Sequence, residues 1–522
     1  MRSSGILMHI SSLPSPYGIG SFGKSAFDFI DFLKNSGQEF WQVLPMGPTG
    51  YGDSPYQSFS TFAGNPYFID MDTLAEEGLI DKDSLNDYDW FWSKDHVDYG
   101  RMYNAKFAAL RVAYNNFMAN PDDAFADFCT AEEQWLDDYA MYMAINTETK
   151  KSWHEWDDGL KLRKRRALAK YRKENQEEIV FWKFMQYEFF KQWNKVKSYA
   201  NENGIRIIGD LPIYVSDNGS DVWANPGLFD MNKDLSLRQV SGVPPDAFSE
   251  DGQLWGNPVY KWKAHKKTGY DWWNRRMQAA LKMYDVVRID HFRGFESFFS
   301  IDADAKTAKN GKWVAGPGID LFEKLNMVQT GDFRIIAEDL GVITPPVRKL
   351  VNDCGYPGMK ILHFAFGIDA DTMDNEYLPH NINKNSIVYT GTHDNNTTMG
   401  WWKSESKHTR ELCLEYGAWE SDDDISDKLI SMAFSSRAKL AVIPMQDWLD
   451  LGDEGRMNTP STSNGNWGWR LTENDLTDRL AERILRKTRL YNRCPKKVPV
   501  VVEETTEAAE TEEQEKETVS EE

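Results

Sequence analysis

The sequence predicts a (β/α)8 barrel carrying helical and irregular insertions. Three observations predict it. Eight short apolar runs recur along the chain, and most of the segments between them carry apolar residues at helical spacing. Four of those runs lead into an acidic residue: Asp210, Asp290, Glu338 and Asp394. In a parallel barrel the ends of the strands converge on one mouth, where catalytic groups sit. A doubly wound sheet is the alternative that the same alternation allows.

The elements follow in order. "GILMHI", Gly5 to Ile10, is the first strand, and Ser25 to Lys34 carries Ala26, Phe29, Ile30 and Leu33 at helical spacing before Gly37 ends the helix. "FWQVL", Phe40 to Leu44, is the second strand. The stretch 1–71 is the first part of the barrel. From 72 to 203 the pattern is amphipathic and helical, a subdomain inserted on the barrel, with "EIVFWKFMQYEFFKQWNKVKSYA" its clearest helix. The basic run "LKLRKRRALAKYRK" fits a solvated helix face. The rest of the barrel spans 204–496. Its strands are Ile205 to Leu211, the run from Val286, Phe333 to Ala337, Met359 to Phe366, Ser386 to Gly391, and Leu440 to Pro444, which leads to Gln446 and Asp447. Between the third and fourth strands, "SDNGSDVWANPGLFD" and "SGVPPDAFSEDGQLWGNPVY" read as long irregular loops, and loops of that length are usually functional. The stretch 244–258 is a candidate lid. Residues 497–522, nearly all Glu, Thr and Ala towards the end, predict a disordered acidic tail.

Composition narrows the function. The net charge of -21 argues against a nucleic-acid partner. No apolar run is long enough to span a membrane. Cys129, Cys354, Cys413 and Cys494 stand far apart with no metal-type spacing, which fits a reducing, cytoplasmic compartment. Aromatic residues make up 13%, with 20 Trp, enough to fill a large core and to leave faces for sugar rings.

The central stretch is "VVRIDHFRG", Val286 to Gly294. Val286, Val287 and Ile289 suit a strand buried on both faces. Arg288 shares a face with Asp290 in a regular strand, where it would keep that carboxylate ionised. The nine residues fit a structural ion pair equally well. Four converging acids fit glycosidic chemistry, which needs one ionised carboxylate and one protonated carboxyl. The rival is a metal hydrolase, since His9, His291, His363 and His393 also lie in or near strands. Strand one lacks a paired His-x-His and no His-Glu-x-x-His occurs, which weighs against a metal. A Ser or Cys triad lacks a Gly-x-Ser-x-Gly elbow.

"GDLPIYV", "VVRIDHFRG", "IIAEDLG" and "TGTHDNNT" resemble, in order, the four signature regions of the α-amylase clan. Their particular form is similar to that of the 4-α-glucanotransferases, the amylomaltase or disproportionating-enzyme family. "GYGDSPYQSFSTFAGNPY", "GVPPDAFSEDGQLWGNPVY", "HISSLPSPYGIG" and "NTPSTSNGNWGWR" extend the resemblance from Gly5 to about Cys494. The resemblance implies a (β/α)8 barrel needing no cofactor. It implies Asp290 as nucleophile, Glu338 as general acid/base and Asp394 as transition-state stabiliser. Arg288 would orient Asp290, and His393 and Asp210 would hold sugar hydroxyls. Tyr56, Asp246 and Trp255 would line the subsites. The implied partners are maltooligosaccharides, starch- or glycogen-derived α-1,4-glucans, and glucose as acceptor. A plain α-glucan hydrolase with the same carboxylates stays open at this point, as does a catalytically silent glucan-binding protein.

Overall fold

The structure, a computed structural model, describes residues 2–50, 52–91, 93–245, 249–366 and 374–495. The tail expected at 497–522 and Asp246 lie outside the described residues. Twelve strands occur among those described: β1 (Ser3–Leu7), β2 (Phe40–Gln42), β3 (Arg206–Pro212), β4 (Gln239–Val243), β5 (Gln253–Pro258), β6 (Val286–Asp290), β7 (Ser297–Asp302), β8 (Lys312–Ala315), β9 (Ile335–Ala337), β10 (Gly358–Ile361), β11 (Ser386–Tyr389) and β12 (Leu440–Pro444).

Eight of them, β1, β2, β3, β6, β9, β10, β11 and β12, close into a parallel barrel in which chain order is spatial order. The expected fold class is therefore observed. Ile6, Trp41, Ile208, Val287, Ile336, Ile361, Val388 and Val442 contribute one fully buried residue from each strand. Helices outside and side chains inside bury both faces, so these strands read as continuous apolar runs. Each such side chain contributes roughly 1.5–3 kcal/mol through burial. The first helix spans Lys24–Asn35 and ends where Gly37 takes a φ of 72°. A left-handed backbone there suits glycine and terminates the helix.

Helices occupy most of the chain between β2 and β3. The longest, Gln176–Glu202, buries Phe181, Trp182, Phe184, Phe189 and Trp193. It also grips the loop after β2. The Gln186 amide accepts from Gly64 N–H at 2.7 Å and donates to Gly64 C=O at 2.8 Å. A Cβ at Gly64 would lie 2.2 Å from the Phe189 ring, so the close approach requires glycine. Gln192 accepts from Asp70 N–H at 2.7 Å. The basic helix Arg165–Glu174 buries none of its residues, in keeping with a solvated face.

One expectation is corrected. The stretch between the third and fourth barrel strands is not wholly irregular. β4 and β5 form a hairpin that joins β7 and β8 in a four-stranded antiparallel sheet, ordered β5-β4-β7-β8. The candidate lid at 244–258 thus ends in a paired strand. The hairpin strands, "QVSGV" in β4 and "QLWGNP" in β5, are interrupted by Gly, Ser and Asn, so no clean alternation announces them. Both hairpins are built on the chain leaving β3 and β6, at the C-terminal mouth of the barrel. No described helix is long and apolar enough to cross a membrane.

Candidate active site

The mouth gathers side chains from the ends of β3, β6, β9 and β11. Asp290 is the last residue of β6 and Glu338 follows the last residue of β9. Asp210 lies inside β3, which runs on to Pro212, and Asp394 lies on the loop beyond β11. The backbone after Asp290 turns sharply, with His291 in the left-handed region at φ 54°. Such a conformation costs of order 1–3 kcal/mol in a non-glycine residue and is found at functional sites. The Trp255 ring meets the His291 ring edge-on at 4.7 Å.

Arg288 sits at the centre. Its Nη1 donates to both Asp210 oxygens at 2.7 Å, and its Nη2 lies 3.0 Å from Asp290 Oδ1. Its side chain is 4% exposed and that of Asp210 is 0% exposed, whereas Asp290 is 27% exposed and open to the mouth. Tyr56 donates its hydroxyl to Asp210 Oδ2 at 2.7 Å and stacks its ring on His393 at 5.1 Å and 15°. Tyr56 thereby joins the β3 side of the mouth to the β11 side.

Glu338 is bound differently. Its two oxygens accept the backbone N–H groups of His291 at 2.7 Å and Leu340 at 2.8 Å. Burial pushes its carboxyl up, and the charge of Asp290 pushes it further. Arg288 and the two N–H donors pull it back without reversing the shift. Asp290 is also raised by burial, while the Arg288 guanidinium beside it works the other way. Of the two, Glu338 lacks the guanidinium contact and holds the proton more tightly.

Asp394 accepts from Asn458 Nδ2 at 2.7 Å and lies 3.3 Å from His393 Nε2. The enclosing protein pushes its carboxyl up, but His393, Asn458 and Arg288 outweigh that and hold it below the usual carboxylate range. His393 loses basicity to burial and regains more from Asp394, ending above its ordinary value. His9, His291 and His363 are each pushed down to about 3 by burial, so they are neutral. Among the described residues no group of three or more His, Cys, Asp or Glu is placed to hold a metal ion.

The structure thus brings together Asp290, Glu338, Asp394, Arg288, His393, Asp210, Tyr56 and Trp255. Two further side chains join them without being singled out in the sequence. Asn458 holds Asp394, and the Trp467 ring lies 6.0 Å from both Tyr56 and His393. Both belong to "NTPSTSNGNWGWR", a stretch whose turn-forming residues could have marked a loop over the mouth.

An acid that keeps its proton, a carboxylate steadied by a guanidinium, and aromatic faces beside them suit enzymes that act on glycosidic bonds. The chain belongs to the 4-alpha-glucanotransferase family, whose sequence model matches residues 8–477. It is 50% identical over 490 residues to a 4-alpha-glucanotransferase of Clostridium butyricum, a match spanning 93% of this chain and 100% of the relative. It is 45% identical over 495 residues to one of Thermus thermophilus, covering 92% and 97%. The fold is similar to that of an amylomaltase from Streptococcus agalactiae in complex with acarbose. That match has a TM-score of 0.92 at 41% identity and covers 95% of this chain and 100% of the other.

Proposed function

We propose that this enzyme moves α-1,4-glucan segments from a donor maltooligosaccharide to the 4-hydroxyl of an acceptor glucose or glucan, with Asp290, Glu338 and Asp394 as its catalytic residues. One observation carries the residue assignment: Asp290 faces the Arg288 guanidinium, while among the described residues the Glu338 oxygens accept from backbone N–H groups. That difference supports a charged Asp290 and a protonated Glu338.

Asp290 attacks the anomeric carbon as Glu338 gives its proton to the leaving oxygen. A β-linked glycosyl ester forms through an oxocarbenium-like state, and the shortened glucan leaves with a free 4-hydroxyl. Glu338, now a base, takes the proton of an acceptor 4-hydroxyl. That oxygen attacks the anomeric carbon and Asp290 departs as a carboxylate. Two inversions retain configuration. Asp394 and His393 contact sugar hydroxyls and stabilise the transition state. Asp210 is closed off from the mouth, so we assign it to orienting Arg288 and Tyr56 rather than to the direct hydroxyl contact that the resemblance implies. Trp255 and Tyr56 present ring surface to the subsites. Asp246 is retained as a subsite residue on the resemblance alone.

Transfer outruns hydrolysis when an acceptor is held in place and water is kept out. Donors and acceptors are maltooligosaccharides, longer α-1,4-glucans from starch or glycogen, and glucose. We place the enzyme in the cytoplasm, a reading supported by four free cysteines, two of them buried. Incubation with pure maltotriose tests the activity. Glucose together with a ladder of longer oligosaccharides is expected; glucose and maltose alone would mark a hydrolase.

A further inference from the structure

Beyond the mouth, a buried carboxylate stands at the end of the last barrel strand. Asp447 follows β12, within the short helix Met445–Trp448, and is 3% exposed. Its Oδ1 accepts the Thr398 backbone N–H at 2.7 Å. Its Oδ2 accepts the hydroxyls of Thr390 at 2.5 Å and Thr398 at 2.8 Å. Thr390 and Thr398 are themselves fully buried. Burial pushes the carboxyl up and these three donors pull it back, while Asp450 adds a like charge. A buried carboxylate is costly, so its retention calls for a reason.

The reason lies in what the two threonines enclose. Thr390 directly follows β11, and Thr398 opens the helix Thr398–Ser404. Between them runs the loop that carries His393 and Asp394. One carboxylate therefore clamps both ends of that loop. Inside it, Asn395 Oδ1 accepts from Thr392 N–H at 2.9 Å and from the Thr392 hydroxyl at 3.0 Å. Thr397 Oγ1 donates to Gly452 C=O at 3.1 Å. A third element joins the clamp. His363, buried after β10, lies with Nε2 3.1 Å from Thr398 Oγ1. The Thr398 hydroxyl spends its one proton on Asp447, so His363 must donate through Nε2. The chain runs one way, from His363 Nε2–H to Thr398 Oγ1–H to Asp447. The Thr398 hydroxyl needs an acceptor at its far end, and a carboxylate takes all three donors at once.

We infer that Asp447 is a positioning residue for the transfer reaction, fixing through Thr390 and Thr398 the loop that presents His393 and Asp394 to the sugar. It touches no substrate. This inference rests on the proposed role of Asp394 in the transition state.

The test is a kinetic cycle on the intact enzyme with maltotriose. Asp447→Asn replaces an acceptor oxygen with an N–H group facing donors. It is expected to lower kcat about 100-fold through misplacement of reacting groups, with KM changed far less. In an Asp394→Asn background the same change is expected to lower kcat less than threefold, because residues acting as one unit are not additive. Thr398→Val, which keeps the shape and loses the hydroxyl, should show the same kcat-selective loss in smaller measure, and Thr398→Ser should recover most of it. Thr398→Val keeps the inference testable if Asp447→Asn does not fold. An equal fold-loss in both backgrounds, a loss that falls on KM, or Thr398→Ser matching Thr398→Val would overturn the positioning role. Failure of the reading of Asp394 is separate and shows as an Asp394→Asn enzyme with full activity.

Discussion

The ends of β6 and β9 lie side by side, yet they treat their carboxyls in opposite ways. At β6, Arg288 divides one buried guanidinium between Asp210 and Asp290. At β9, Glu338 accepts, among the described residues, from the N–H groups of His291 and Leu340. The two strands are hydrogen-bonded neighbours, and Glu338 N–H donates to Ile289 C=O at 3.0 Å. The difference teaches how one pocket keeps an anion and an acid together. A nearby cation decides which carboxyl ionises, and burial sharpens the choice.

The largest effect comes from breaking the anionic side. Asp290→Asn keeps the shape and removes the nucleophile's charge, and Arg288 stays paired with Asp210, so the fold has no orphaned cation. Turnover on maltotriose should fall about 10⁴-fold or more, with the circular dichroism spectrum unchanged. Substantial transfer by this variant would place the nucleophile elsewhere.

Removing the cation tests the same side through stability. Arg288→Met leaves the Asp210 carboxylate at 0% side-chain exposure without its ion-pair partner. Breaking a buried pair from one side costs about 3–5 kcal/mol. Denaturant unfolding should show that loss at neutral pH. A stability near that of the parent would mean that Tyr56 alone can satisfy Asp210.

Most of the barrel is legible in the sequence because its strands are buried on both faces, which writes them as continuous apolar runs. Strand limits are less so. "MKILHFAF" reads as one strand to Phe366, but β10 stops at Ile361 and a 3-10 turn follows, where His363 N–H crosses to Thr390 C=O at 3.1 Å. "GILMHI" likewise reads to Ile10, while β1 spans Ser3–Leu7. The four-stranded sheet is hidden by Gly and Ser in its short strands. In the site, the acids and Arg288 are readable because a charge at the end of a buried strand is unusual. Asn458 and Trp467 are not, because their partners lie more than sixty residues away in sequence and no local pattern encodes that contact. Gln446 and Asp447 stand out at the end of the last strand, but only the fold shows Asp447 meeting Thr390 and Thr398.

A smaller effect separates support from chemistry. The loop after β2 brings Tyr56 onto Asp210, and Gln186 from the long helix holds that loop at Gly64. Gln186→Ala leaves a buried N–H and C=O at Gly64 unsatisfied, which should lower stability by about 1–3 kcal/mol. Glu338 should titrate as before, since the charges around it are unchanged. A shift in that titration would show that the helical region reaches the acid as well as the loop.

The last prediction concerns the division of labour between burial and charge at Glu338. Donor cleavage needs this group protonated, so the rate should fall as pH rises through its raised pKa. It also needs Asp290 ionised, so the rate should fall as pH drops through that group's pKa. The profile is a bell, with its alkaline limb belonging to Glu338. Charge coupling with Asp290 alone would account for an acid that releases its proton once Asp290 becomes an ester. The structure puts burial first and the Asp290 charge second among the causes that raise Glu338. In Asp290→Asn, therefore, the Glu338 pKa should fall but stay above that of an exposed glutamate, as read by carbon-13 NMR titration of the carboxyl. A fall to the exposed value would make charge the whole cause. No fall would leave burial alone to tune the acid, and the switch from acid to base would then need a change in hydration when the sugar binds.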